Sequence, residues 1–180
     1  MPPQRVSKTM EGFLNPTEVL KQLDLKESMT AADFGSGSGG WVIPLAKKLE
    51  EGKIYAIDIL EEPLSALRAK TKLEKIFNVE TVLVDIEKGV DIFEGSCDLV
   101  LMTNLLFQAD DKKKVLEEGK KLLKPGGKIL VVDWKKDSTL GPAEGRISAE
   151  EVKETALDLN LRIEKEFEAS TYHYGLIFTK

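Results

Sequence analysis

The chain reads as an α/β protein: a Rossmann-like, doubly wound sheet of seven strands, five parallel and the last two an antiparallel hairpin, with helices on both faces. Three observations carry this. Short runs rich in Val, Ile and Leu alternate with amphipathic helical stretches almost to the end. A glycine-rich run joins the first such strand to the helix after it. The last two strand-like runs are too close together for a helix to cross between them.

Taken in order, residues 1–14 are expected to be a leader or lid, with Val6, Met10, Phe13 and Leu14 as apolar area able to dock; residues 15–180 form one domain. Asn15-Pro16-Thr17-Glu18 supplies a cap, a first-turn proline and an acidic residue, opening a short helix. Strands follow at Thr30 to Phe34, Lys53 to Ile57, Thr81 to Val84, Asp98 to Met102 and Lys128 to Asp133, too apolar to have one face in water. Between them, Trp41 to Glu50 places Val42, Leu45, Ala46 and Leu49 on one helical face. Leu64 to Phe77 does the same with Leu64, Leu67, Leu73 and Phe77, and Lys112 to Leu123 with Val115, Leu116, Leu122 and Leu123. Lys124-Pro125-Gly126-Gly127-Lys128 must stop that last helix and turn the chain. Lys135 to Arg146 is the loosest stretch, and Ser148-Ala149-Glu150-Glu151 is a capping box that opens the final helix. Leu161 to Glu168 and Tyr172 to Thr179, with only Ala169, Ser170 and Thr171 between, make the hairpin.

Composition narrows the function. With 180 residues, 42% hydrophobic and 32% charged, the chain has the profile of a single globular domain. One cysteine, Cys97, and one histidine, His173, leave no disulfide and no usual metal constellation, so a reduced, cytoplasmic setting is expected. No apolar run reaches the roughly 20 residues of a membrane span, and Met1-Pro2-Pro3-Gln4-Arg5 leads into no signal core. The net charge of −5 argues against nucleic-acid binding by the molecule as a whole, and Lys112-Lys113-Lys114 and Lys120-Lys121 read as a solvated helix face.

Chemistry concentrates at Asp33-Phe34-Gly35-Ser36-Gly37-Ser38-Gly39-Gly40. Glycines between a strand and a helix let the backbone turn sharply and let a ligand lie against its amides, while the helix start attracts an anionic group. The second strand runs into Asp58, placed to accept from a ribose diol, and the third into Asp85, placed to accept from the exocyclic amine of an adenine. Together these outline a nucleoside lying across the strand ends. Gly35-x-Gly37-x-x-Gly40 also satisfies the dinucleotide pattern, so an NAD-binding oxidoreductase is an alternative. Against it stand Asp33, which would meet an ammonium group but repel a diphosphate, the missing second half for a nicotinamide, and the hairpin in place of a sixth parallel strand.

The acidic-x-Gly-x-Gly-x-Gly loop at Asp33–Gly39, with Asp58, Asp85, the Cys97–Asn104 strand and the Leu122-Leu123-Lys124-Pro125-Gly126-Gly127 turn, resembles the class I S-adenosylmethionine-dependent methyltransferases, from about Asn15 to the C-terminus. The branch it looks most like includes the ubiquinone and menaquinone methyltransferases. The resemblance implies S-adenosyl-L-methionine as cofactor. Asp33, Gly35, Ser36, Gly37 and Gly39 would hold its methionine part, Asp58 and Ile59 the ribose side, Asp85 and Ile86 the adenine side, and Asn104 or Thr103 would face the sulfonium methyl. Transfer in this family is an in-line displacement, in which the protein's main task is alignment.

The acceptor is expected to be a small molecule, with a protein or RNA acceptor at an open site, or a nucleoside-binding partner subunit without turnover, as alternatives. Thr103-Asn104-Leu105-Leu106-Phe107 lacks the Asn/Asp-Pro-Pro-aromatic motif that grips a planar amino group. Cys97 starts its strand, away from the carboxyl end where a nucleophile would be needed. His173 is a candidate general base, weighed against a plain hydrogen-bonded histidine at a hairpin. Trp134 stands as pocket wall or core cover, and Arg146 as partner of an acidic acceptor or solvated loop residue.

Overall fold

A computed structural model describes residues 12–180, so most of the leader expected at 1–14 lies outside the described residues. The elements run α1 (Pro16–Leu20), β1 (Thr30–Phe34), α2 (Val42–Ala46), β2 (Lys53–Asp58), α3 (Glu61–Leu73), β3 (Val79–Leu83), β4 (Cys97–Thr103), α4 (Lys112–Leu122), β5 (Leu123–Trp134), α5 (Ala149–Asp158), β6 (Arg162–Ser170) and β7 (His173–Thr179). Two single 3₁₀ turns, Ile86–Lys88 and Leu106–Gln108, follow β3 and β4.

The seven strands form one sheet in the order β3-β2-β1-β4-β5-β7-β6. The first five are parallel, and β7 lies antiparallel to both β5 and β6. The chain order reverses at β1 and β4, so the carboxyl ends of these two strands diverge into loops that leave a crevice between them. Side chains alternate across the sheet. Ala32, Phe34, Val100, Met102, Ile129 and Val131 pack under α4 and α5, while Ala31, Leu99, Leu101, Leu130 and Val132 pack under α1, α2 and α3.

The caps are as the sequence dictates. Thr17 and Glu18 N–H groups donate to Asn15 Oδ1 at 3.0 and 3.4 Å. At α5, Glu151 N–H donates to Ser148 Oγ and Ser148 N–H to Glu151 Oε2, closing the capping box. Three expectations shift. The helix expected from Leu64 to Phe77 starts three residues earlier, at Glu61, and ends at Leu73, because Lys75 takes a left-handed backbone (φ 55°); Leu73 and Phe77 are 84% and 88% exposed rather than core. The stretch expected as a helix from Trp41 to Glu50 closes as the five-residue α2 followed by turns, although Leu49 is buried. The Lys124–Gly127 turn is present but sits inside β5 as a bulge: Cys97 pairs with Leu123 and Leu99 already with Lys128. The hairpin docks through its second strand, which leaves β6 at the edge.

Candidate cofactor site

The site is built from the loops that leave β1, β2, β3 and β4. After β1 the chain must reverse into α2 within a few residues, and Gly35, Gly37 and Gly39 meet this with φ of 70°, 53° and 94°. The Gly35 and Ser36 N–H groups both donate to Ile57 O, at 2.8 and 2.9 Å, which ties the loop to β2. A Cβ on Gly37 would meet no atom within 4 Å, so that glycine faces open space. Gly39 instead faces Leu67 of α3 and packs the loop onto that helix.

The open space is a cleft of roughly 410 Å³. Of the residues singled out from the sequence, it gathers Gly35, Gly37, Asp58, Ile59, Asp85 and Ile86. Asp58 anchors its middle: Gly37 N–H donates to Oδ2 at 2.8 Å and Leu60 N–H to Oδ1 at 3.0 Å, and each oxygen keeps a lone pair for a further donor. Asp85 caps the turn after β3, accepting from Glu87 N–H at 3.1 Å and pairing with Lys88. Ile59 and Leu60 are 61% and 60% exposed at the rim, apolar area that a planar ligand would cover. The opposite wall comes from Leu105, Gln108, Ala109 and Val115. The apolar three, Leu105, Ala109 and Val115, escaped the sequence reading because an apolar residue facing a ligand carries the same signature as one facing the core.

Behind the cleft lie most of the buried side-chain polar atoms that have no partner among the described residues. Asp33 is fully buried, neither of its oxygens is hydrogen-bonded, and its carboxyl is pushed up to about 8, first by burial and then by the charge on Asp58. Ser36 Oγ and Asn104 Oδ1 are also buried and unpartnered, and Asn104 holds a left-handed backbone, φ 50°, rare for a residue with a side chain. All of these atoms can accept a hydrogen bond, and on Asp33 and Asn104 they can do nothing else unless Asp33 is protonated. A buried acceptor without a donor is costly, so this cluster fits a ligand that brings cationic or N–H donors.

His173 does not join this group. By alternation it shares the α1–α3 face of the sheet with Asp33, but β4 and β5 intervene between β1 and β7, a lateral separation of roughly 14 Å at about 4.8 Å per strand. Its Nδ1 lies 2.8 Å from Ser170 Oγ, its Nε2 is buried and unpartnered, and its ring lies 4.0 Å from that of Trp134. Burial, then the Lys135 charge, push its pKa down to about 4, so it is neutral at physiological pH. Trp134 packs against His173 on one side and against the Gly141 backbone on another, where a Cβ would come within 2.5 Å of the indole. Arg146 is neither solvated nor free for an acidic acceptor: its guanidinium donates to the carbonyls of Lys135, Lys136, Ser138, Leu140 and Pro142, and so shapes the loop that covers Trp134. The basic run on α4 is likewise engaged at home, Lys114 and Lys121 with the buried Glu118 and Lys120 with Leu159 O. Cys97 is buried at the far end of β4, and its thiol is pushed up by burial.

A doubly wound sheet with acidic groups ending its first three strands and a glycine loop at the switch point defines a nucleoside-binding domain. A methyltransferase domain family model matches residues 25–173, and the chain belongs to the class I S-adenosylmethionine-dependent methyltransferases. The cofactor of that family is S-adenosylmethionine, which decides between the two ligands the glycine loop left open. The chain is similar to a SAM-dependent methyltransferase of known structure from Aquifex aeolicus, with 31% identity and a TM-score of 0.85 over 92% of this chain and 89% of that one. It is 26% identical over 131 residues to a demethylmenaquinone methyltransferase from Bacillus mycoides, covering 72% of this chain and 55% of that protein. The chain thus spans about half the length of the curated relatives it matches. The [4+2]-cyclase SpnF shares the fold alone, with 14% identity and a TM-score of 0.81.

Proposed function

We propose that this domain binds S-adenosylmethionine across the β1–β4 strand ends and transfers its methyl group to a small-molecule acceptor. The observation that carries the reading is the cluster of buried, unpartnered acceptors at Asp33, Ser36 and Asn104 beside a cleft already lined by Gly37, Asp58 and Asp85. Bound there, the cofactor supplies a methyl group on a sulfonium, whose sulfide leaves without an acid. Asp33 and Ser36 receive the ammonium of its amino-acid end, and the glycine loop gives room for the chain to lie against the backbone. Asp58 accepts from the ribose hydroxyls through the lone pairs that Gly37 and Leu60 leave free. Asp85 accepts from the adenine amine, with Ile59 and Ile86 against the base. Asn104, held with its carbonyl oxygen inward, faces the reacting methyl and fixes its direction.

His173, buried against Trp134 and three strands from Asp33, serves in this reading as a packing partner rather than as the general base. The menaquinone-type relatives support a small-molecule acceptor. Titration of the purified protein with S-adenosylmethionine, S-adenosylhomocysteine and NAD tests the cofactor assignment. Heat from the two sulfur compounds and none from NAD is expected; heat from NAD alone would refute it. Incubation with a methyl-labelled cofactor and a panel of phenols, quinols, thiols and amines then tests the acceptor class. Label moving only to added protein or RNA would overturn the small-molecule part.

A further inference from the structure

We propose that Asp133 is a positioning residue for the cofactor cleft, acting through the loop that follows β4; the proposal rests on the cofactor assignment above. Asp133 ends the apolar run of β5 with a carboxylate that has no exposed surface. It touches no wall of the cleft. Its Oδ2 accepts from the N–H groups of Leu106 and Phe107, at 2.9 and 3.3 Å, and its Oδ1 from Trp134 N–H at 2.8 Å. The first two are free amides at the start of the Leu106–Gln108 turn, and no side chain of their own loop caps them.

What that turn carries makes the contact more than a cap. Asn104 sits immediately before it, in its left-handed conformation, its N–H donating to Val132 O at 2.8 Å and its carbonyl accepting from Gln108 Nε2 at 2.7 Å. Leu105 presses so close to the glycine loop that a Cβ on Gly35 would lie 2.9 Å from its Cδ1. Leu105, Gln108 and Ala109 are the cleft wall opposite Ile59. The far end of the same loop is held in the same manner, Glu87 accepting from the N–H groups of Asp110 and Asp111. A carboxylate on each side therefore fixes the wall, one from the β5 end and one from the turn after β3. Burial of a carboxylate is costly, and Asp133 bears that cost where Leu105 must meet Gly35.

The test is S-adenosylhomocysteine affinity, by calorimetry, for Asp133→Leu, Asp133→Asn, Leu105→Ala and the Asp133→Leu/Leu105→Ala double variant. Losing three N–H bonds to a charged group, two of them from the loop, should weaken binding about tenfold or more in Asp133→Leu. Asp133→Asn, which keeps one acceptor oxygen and the same shape, should fall between that and wild type. If Asp133 acts through Leu105, the double variant binds no more weakly than the worse single one. Wild-type affinity in the Asp133 variants, or a double variant whose losses in affinity multiply, would overturn the proposal. Should Asp133→Leu not fold, Asp133→Asn and its double with Leu105→Ala carry the same comparison. Failure of wild type to bind S-adenosylhomocysteine would instead remove the cofactor assignment, so the two failures are distinct.

Discussion

At Asp33, burial and function pull in opposite directions. Its pKa of about 8 lies above the ordinary 3.8, so between those values the folded protein retains a proton that the unfolded chain releases. Stability therefore declines as pH rises through this range, by up to about 1.4 kcal/mol per unit for one group. Asp33→Asn removes the decline: variant and wild type should have similar stability near pH 4, and the variant should become increasingly the more stable toward pH 8. A melting series against pH, without added cofactor, reads this directly, and parallel curves would show that Asp33 is not protonated in the folded protein. The same carboxyl should ionise when it meets an ammonium, so cofactor binding should release a proton, and affinity should rise with pH up to about 8. Calorimetry in two buffers of different ionisation enthalpy measures that release. Asp58 is the complementary case, half-exposed and already hydrogen-bonded to two amides. Asp58→Ala should weaken cofactor binding by about 1–3 kcal/mol, and unchanged affinity in a folded variant would remove the ribose assignment.

Among the elements, those with a chemical marker at their start are the ones the sequence makes plain. Ser148 and Glu151 announce α5, and Ser148→Ala should cost about 1 kcal/mol of stability, as one cap hydrogen bond usually does; denaturant titration would show a lowered midpoint with an unchanged slope. β1 is legible to the residue because the glycine loop ends it directly after Phe34. The misreadings have a common cause, in that periodicity records what is apolar but not where the chain turns. Phe77 continues the α3 pattern in sequence, yet the left-handed Lys75 ends the helix before it and leaves it in solvent, while Leu73 is helical but exposed on the last turn. Lys124–Gly127 is a turn in composition but a bulge in space, because β4 offers pairing partners on both sides of it. For the site, acidic and glycine positions could be named because no core would choose them. Leu105 and Val115 could not, since a wall and a core ask for the same side chain. Asp133 did carry a signal, a lone acid ending an apolar strand, but its role depends on amides from a loop 26 to 27 residues earlier in the chain.

For the molecule as a whole, the cofactor should act as a cross-link. The cleft borrows its lining from the loops after β1, β2, β3 and β4, which are joined to one another by a few contacts, among them Gly37 to Asp58, Glu87 to Asp110 and Leu105 against Gly35. A ligand touching all four joins strand ends that otherwise open separately, and the buried acceptors at Asp33, Ser36 and Asn104 gain their donors at the same time. Mass action sets the scale: ligand at a hundred times its dissociation constant adds about 2.7 kcal/mol to the native state. In a domain of this size that is a rise in melting temperature of roughly 5–10 °C. S-adenosylhomocysteine should produce that rise, with hydrogen exchange slowing in all four loops at once, and NAD at the same concentration should produce none. Protection limited to the glycine loop would mean the nucleoside end is not held by Asp58 and Asp85. A shift with NAD and none with S-adenosylhomocysteine would contradict the family's cofactor in this chain.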